Sequence, residues 1–466
     1  MAAVPPLTVG RGSVESPRSR IVATGKGCGR ALELAVLLVG HRENWNSLGA
    51  LAGALEADTR LAGLALHFAR PGAPALGRAC ELARRYERVV VGFSFMSPDA
   101  MRVAGEVAVL RGALPAAAYP HVRLVAGGPH ATASWRSTLA MGFDYVVVGE
   151  GEEAFPDLLL EVARGRDGRG VRGVAMRTAE GNLVYQGRAR PVALDRFPPF
   201  SARYRHQGPI EITRGCVHRC RFCATPFLAG RRLRHRPLPD VLRAVESCLR
   251  GGVDQIRFVA PDSLAYGSAD GRPRLDLLEE LLRQASALAG RANTFLGSFP
   301  SEVRPESASP RAAELIARYC GNDNLVVGAQ SGSERLLARM GRGHTVGDVR
   351  RAVAAIRAAG LRANVDIIFG LPGEAEEDRE ATFRLIDELV GLGARIHSHA
   401  FMPLPGSPWA HCPPGEVDEA TARRLGALAG QGAQYGSWQK QARQARQMIE
   451  FLARLEGSAP GLDTPA

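Results

Sequence analysis

The chain has 466 residues, 45% of them hydrophobic, which is enough for two or three buried cores; no apolar run nears the ~20 residues of a membrane-spanning helix. The formal net charge is +12, carried almost wholly by arginine, since Lys26 and Lys440 are the only lysines; no block of consecutive basic residues forms, so the arginines read as solvated helix faces rather than a nucleic-acid patch. Eight cysteines are too few for a disulfide scaffold, and no secretory signal opens the chain, so a cytoplasmic location without membrane contact is expected.

Residues 1–30, rich in Gly, Pro, Ser and Arg, are expected to form a disordered extension. From residue 31 to 165, short β-branched runs alternate with helical stretches: ELAVLLV (33–39), AGLALHF (62–68), RVVVGFS (88–94), VRLVAGG (122–128) and FDYVVVG (143–149). Five βα units of this kind predict a doubly wound α/β domain, Rossmann-like or flavodoxin-like, with its ligand beyond the carboxyl ends of the strands. Residues 166–208 break the rhythm with a hairpin around Gly181-Asn182 and a Pro-rich connector, LDRFPPF.

A second series fills 209–410: PIEIT (209–213), DQIRFVA (254–260), NTFLGS (293–298), NLVVGAQ (324–330), RANVDIIFG (362–370) and RIHSHAFMP (395–403). Six βα units rather than eight predict a partial TIM-type barrel, with its chemistry at the C-terminal ends of the strands. Residues 411–466 read as a helical tail.

The loop after the first of these strands is TRGCVHRCRFCATP (213–226), which puts Cys216, Cys220 and Cys223 within eight positions. Zinc would need a fourth ligand, from His218 or His235, and no second Cys-x2-Cys pair follows. A cubane iron–sulfur cluster has four irons, so three thiolates leave one iron open for whatever is being activated.

Cys-x3-Cys-x2-Cys with Phe222 before the last cysteine, placed after the first strand of a partial barrel, resembles the radical S-adenosylmethionine superfamily. The resemblance implies a 4Fe-4S cluster on Cys216, Cys220 and Cys223. It also implies S-adenosylmethionine on the open iron, reductive cleavage to a 5′-deoxyadenosyl radical, and an external electron donor such as flavodoxin or ferredoxin. Phe222 would pack beside the adenine, and Gln330, Ser331 and Ser333 of GAQSGSE would meet the ribose. Gly370 and Pro372 of FGLPGE would approach the adenine. Asp262 of VAPDS stands where the family's contact to the amino group is expected.

The N-terminal segments GFSFMSPDAM, VAGGPHATA and VVVGEGEEAF resemble the cobalamin-binding domain that precedes many such barrels. Residues 31 to about 410 therefore resemble the cobalamin-binding-domain/radical SAM proteins, and most of all an uncharacterised subgroup of methanogens and some bacteria. Ser94, Met96, Gly127, Gly128 and His130 are the implied cobalamin contacts. The family's Asp-x-His-x-x-Gly is absent; its loop here is GHRENWNSLG (40–49), in which His41 lacks the preceding Asp and the Gly spacing. Either cobalamin binds without a histidine ligand or the domain keeps only the fold.

The leading expectation is cobalamin-dependent methyl transfer to an unactivated centre of a small molecule or peptide. A second is methylthiolation of tRNA or protein, for which CATPFLAGRRLRHRP and QSGSERLLARMGRGHT resemble the corresponding enzymes, and Arg231, Arg232, Arg234 and Arg236 would contact phosphate. A non-catalytic iron–sulfur or zinc sensor is the third.

Overall fold

The computed structural model describes residues 33–178 and 180–457; the expected N-terminal extension, with Cys28, lies outside them. Strand β1 (Leu34–Val39) is apolar and buried at all six positions, so both of its faces must be covered, and it takes a central place in a parallel sheet. β2 (Ala65–Ala69), β3 (Arg88–Ser94), β4 (Val122–Gly127) and β5 (Tyr145–Val147) join it in the order β2-β1-β3-β4-β5, all parallel. That is the flavodoxin-like order, whose strand ends face the ligand. The hairpin β6 (Val174–Arg177) and β7 (Leu183–Tyr185) adds to the same sheet in antiparallel fashion, beyond β5. Separate cores fill its two faces.

β8 (Ile210–Glu211) begins the second unit. β9 (Thr213–Arg214) pairs with β10 (Arg234–His235) and cinches the cysteine loop, while β8 pairs with β11 (Ile256–Val259) and β11 with β12 (Thr294–Phe295). β13 (Asn324–Gln330), β14 (Arg362–Phe369) and β15 (Arg395–Ala400) continue in parallel. Bridging contacts, Val326 N–H to Gly297 O (2.9 Å) and Val303 opposite Val327, connect the two runs. All six expected strands are present, and the series stays open among the described residues, as a partial barrel. A seventh short strand, β16 (Gln434–Tyr435), lies beyond β15; nothing in its composition announces it.

Along β14 and β15, Ala363, Val365, Ile367, Phe369, Ile396 and Ala400 pack into the core beneath the helices. Alternation sends Asn364, Asp366, Ile368, His397 and His399 to the barrel interior. The helix Trp438–Gly457 carries one buried stripe, Trp438, Ala442, Ala445, Met448 and Leu452, at helical spacing. Its first turns belong to the barrel core and its later ones to the core of the N-terminal domain, so the polar-looking tail joins the two units. No described helix is long and apolar enough to cross a membrane.

Candidate active site

The cysteine loop leaves β9 through Gly215, whose φ of +93 and 2.2 Å clearance from the Arg232 carbonyl oxygen to a notional Cβ admit no other residue. Backbone bonds hold the loop on three sides: Cys216 N–H to Gly230 O (3.0 Å), Arg221 N–H to Met340 O (2.9 Å) and Trp409 N–H to Arg221 O (3.0 Å). Burial pushes the Cys216 thiol up to about 11 and raises that of Cys223, each thiol also opposing charge on its neighbours. A bound metal reverses that preference, because a coordinating thiol gives up its proton.

Two arginines that are not among the expected site residues converge on Cys220. Arg342 Nη1 lies 3.4 Å and Arg304 Nη1 3.7 Å from its sulfur, and both guanidinium groups are almost wholly buried. Cations at a thiolate suit an anionic cluster, whose properties depend on hydrogen bonds to sulfur. Arg342 also sits 5.8 Å from the Phe222 ring centroid, and Phe222 itself packs against the barrel core. Burial, with Arg304 and Arg342 nearby, lowers the His218 imidazole to about 4 and keeps the ring neutral.

Cys220 and Cys223 line an open cavity of about 1920 Å³, together with Thr132 and Trp135 of the N-terminal domain, Pro405 and Cys412 after β15, and Leu452 of the C-terminal helix. A second cavity, of about 280 Å³, opens at the carboxyl ends of β1, β3 and β4 and shares Thr132 with the first. Ser94, Gly127 and Gly128 line it. Gly128 has φ +86, and a Cβ there would stand 2.5 Å from Ser94 Oγ, so this wall tolerates no side chain. Small residues form the strand-end wall of this slot, and Leu51, Phe155, Glu150, Glu152 and Arg214 line the rest of it.

The remaining expected contacts divide. Gln330 ends β13 with φ +75, and its amide nitrogen, Glu302 Oε2 and Arg342 Nη2 all crowd the space beside Gly328. Gly370, φ +72, donates its N–H to Glu374 Oε2 (2.7 Å), and a Cβ there would strike the Glu416 backbone at 2.7 Å. The Pro372 carbonyl accepts from Arg339 Nε (3.0 Å).

Ser331 and Ser333 are turned inwards. The Ser331 hydroxyl meets Thr382 Oγ1 (3.2 Å), and that of Ser333 donates to Asp378 Oδ1 (2.6 Å) while capping the helix Glu334–Met340. Asp262 is spent likewise, accepting from Leu264 N–H, Arg304 N–H and the Ser307 hydroxyl; burial pushes its carboxyl up to about 6. In the N-terminal domain, Met96 is exposed and lines neither cavity. His130 is fully buried between Ser97 (3.0 Å) and Phe95, and burial lowers it to about 4. His41 lines neither cavity either; its ring is engaged by Arg102 and lies 3.4 Å from Glu106.

Residues 210–386 match the family model of the Radical SAM superfamily, and residues 41–159 match the B12 binding domain. An uncharacterised protein of Methanopyrus kandleri is 31% identical over 361 residues, 64% of this chain and 66% of that one. A tRNA-2-methylthio-N(6)-dimethylallyladenosine synthase of Pelobacter propionicus is 32% identical over 226 residues, 46% of this chain and 47% of its own length. The chain thus spans about half to two-thirds of the curated relatives it matches. Among solved structures, the radical S-adenosylmethionine methyltransferase TsrM of Kitasatospora setae, with cobalamin and a 4Fe-4S cluster bound, shares the fold: TM-score 0.62, 19% identity, 81% of this chain and 74% of that one. The cobalamin-dependent S-adenosylmethionine radical enzyme OxsB gives a TM-score of 0.58 at 14% identity, over 76% of this chain and 51% of that one.

Proposed function

We propose that this chain, which belongs to the radical SAM superfamily and carries a B12-binding domain, is an enzyme that cleaves S-adenosylmethionine reductively and transfers a methyl group with the help of cobalamin. The observation that carries the reading is that the three-cysteine loop and the small-residue slot open into adjoining cavities that share Thr132. When bound, the reduced cluster supplies the electron that breaks the sulfonium, and cobalamin carries the methyl group. Cys216, Cys220 and Cys223 hold the cluster, and Arg304 and Arg342 offset its charge. Phe222, Gln330, Gly370 and Pro372 border the S-adenosylmethionine; Asp262, Ser331 and Ser333 fix the strand ends from behind. Ser94, Gly127 and Gly128 take the corrinoid tail, Met96 lies outside the slot, and His130 supports the wall from the core. The division proposed is 31–165 for cobalamin, 166–208 as a connector whose hairpin extends the sheet of that domain, 209–410 for the barrel and 411–466 as the tail. An external donor of the flavodoxin or ferredoxin class supplies the electron.

The methylthiotransferase relatives favour a second reading, but the N-terminal half offers little for a second cluster: between residues 33 and 208, Cys80 is the lone cysteine. Two of the four arginines expected at phosphate are occupied within the protein, Arg234 with Glu150 and Arg236 with the Leu194 and Phe197 carbonyl oxygens (2.6 Å each).

Anaerobic reconstitution with iron, sulfide and hydroxocobalamin tests the reading. The desalted protein should hold both an iron–sulfur band and stoichiometric corrinoid bands, and should release 5′-deoxyadenosine from S-adenosylmethionine under dithionite. Cys220→Ala should lose the cluster and the cleavage but keep the corrinoid; a Cys220→Ala protein that retains a full cluster and still cleaves would refute it.

A further inference from the structure

The barrel interior holds a titratable group that the cluster chemistry does not use. Asp366 on β14 sits in register with His397 on β15, and His399 lies two residues further along the same face. Hydrogen bonds fix their protons. The Ala400 N–H donates to Gln441 Oε1 (3.1 Å), so the other end of that amide must be the nitrogen, and it donates to His399 Nδ1 at 3.0 Å. Neutral His399 therefore keeps its proton on Nε2, which lies 3.6 Å from Asp366 Oδ1. His397 Nδ1 is 2.9 Å from the same oxygen, and a carboxylate there holds the proton on Nδ1. What is left is His397 Nε2, a lone pair without a hydrogen bond among the described residues. Tyr435 stacks on the ring (4.5 Å between centroids, 3° between planes) and fixes its orientation.

The same interior offers two more acceptors. Asn364 Oδ1 is buried without a partner, one step deeper on β14. Glu302 lies near enough to Asp366 and Arg342 for their charges to act on it, and burial above all holds its carboxyl up at about 7. The three donor atoms of Asp366, His397 and His399 also lie within 4.8 Å of one another, a spacing a divalent metal accepts. Metal on His399 Nε2 would, however, set its Nδ1–H against the Gln441 N–H, and that conflict favours protons over metal.

We propose that Asp366 and His397 form a proton-accepting dyad in the barrel interior, and that the ligand it meets is a hydrogen-bond donor, an ammonium or a group bearing N–H or O–H. As the substrate-side base of the methyl transfer, this assignment rests on the function proposed above. His397 Nε2 takes the proton, the electrons of the broken bond stay on the substrate heteroatom, and Asp366 balances the imidazolium, the logic of a carboxylate-oriented histidine in other base-catalysed sites.

Diethyl pyrocarbonate acylates an imidazole nitrogen whose lone pair is free. On the resting full-length protein, peptide mapping should find His397 modified well ahead of His399. Gln441→Leu frees His399 Nδ1 and should speed its modification roughly fivefold, the weight of one net hydrogen bond. Equal rates at the two histidines in the unaltered protein, or a His399 indifferent to Gln441→Leu, overturns the dyad. Zinc that protects both histidines in chelator-treated protein, and fails to do so in Asp366→Asn, assigns a metal site instead. For the ligand class, trimethylammonium, which has an N–H, should protect His397, and tetramethylammonium should not; protection by both alike, or by neither, overturns the donor class. 5′-Deoxyadenosine release measured on the same preparations keeps the two proposals apart: its absence from the unaltered protein condemns the radical chemistry and leaves the dyad result standing.

Discussion

Arg214→Met removes the cation on which the two units meet. The Arg214 guanidinium reaches Glu150 (3.0 Å) and Glu152 (2.7 Å) from the N-terminal domain and Glu211 (2.7 Å) from its own segment. The side chains of Arg214, Glu150 and Glu152 are 14%, 9% and 7% exposed and border the smaller cavity, so only confined water can take the place of the lost partner. Glu150 keeps Arg234 and the Val192 N–H, whereas Glu152 is left buried with no cation. Stranding a buried charge costs about 3–5 kcal/mol, against ~0.2–1 for an exposed pair, and the larger figure applies here. The pH dependence follows from Glu150. Burial raises its carboxyl, but Arg234, Arg214 and the Val192 N–H outweigh burial and hold it below the ordinary range. Stability from such a group is present above the unfolded carboxylate value and is lost as pH falls through the lower folded one. The variant lacks part of it at neutral pH, and in acid the unaltered protein loses it as well. The gap between the two proteins should therefore be widest near neutrality and narrow towards about pH 4. Urea unfolding at both pH values measures it, with Glu152→Gln in the Arg214→Met background recovering part of the loss. A gap below ~1 kcal/mol at neutral pH, or one that acid leaves unchanged, refutes the argument.

Two further outcomes follow from packing. Gly128→Ala places a methyl group 2.5 Å from Ser94 Oγ at φ +86, so it should cost about 1–3 kcal/mol and leave the desalted protein with much less corrinoid, read from its visible bands. Met448→Ala hollows the contact of the C-terminal helix with the N-terminal core, where Met448 is 3% exposed; a loss of about 2–5 kcal/mol and faster hydrogen exchange in residues 445–455 are expected.

The two sheets were legible because parallel strands buried on both faces leave runs such as LAVLLV, which period and length identify. The cysteine loop was legible because its ligands are local. Everything that binds at a distance was not. Arg304 and Arg342 lie 84 and 122 residues from Cys220, and nothing local to either says that it reaches the cysteine loop. Ser331 and Ser333 looked like free hydroxyls at a strand lip, but a helix begins at residue 334 and its first N–H groups need a cap. Asp262 met the same fate at its own turn. Short polar residues at strand ends are demanded by backbone chemistry before any ligand arrives, and the sequence does not say which demand wins.

The arginine surplus illustrates the same limit with the opposite sign. Within RRLRHR, alternation sends Arg234 and Arg236 inwards, one to Glu150 across the domain boundary and the other to carbonyl groups of the connector, while Arg231 and Arg232 stay exposed. A basic run therefore acts partly as a fastener. It pins the first barrel strand, and with it the cysteine loop, against the strand-end slot of the neighbouring domain. On the function proposed above, methyl transfer needs both centres held close together, because a misplacement of about 1 Å costs roughly a hundredfold in rate. A largely buried cluster of three carboxylates, Glu211 the most exposed of them, and two guanidinium groups is a poor source of net stability but a strong selector of one relative arrangement, since any sliding leaves charges unpaired. The Arg214→Met variant separates those two roles. If orientation is its main service, 5′-deoxyadenosine release, which needs the barrel alone, should survive under conditions where the variant is folded, and coupling of that release to methylation of the corrinoid should fail first.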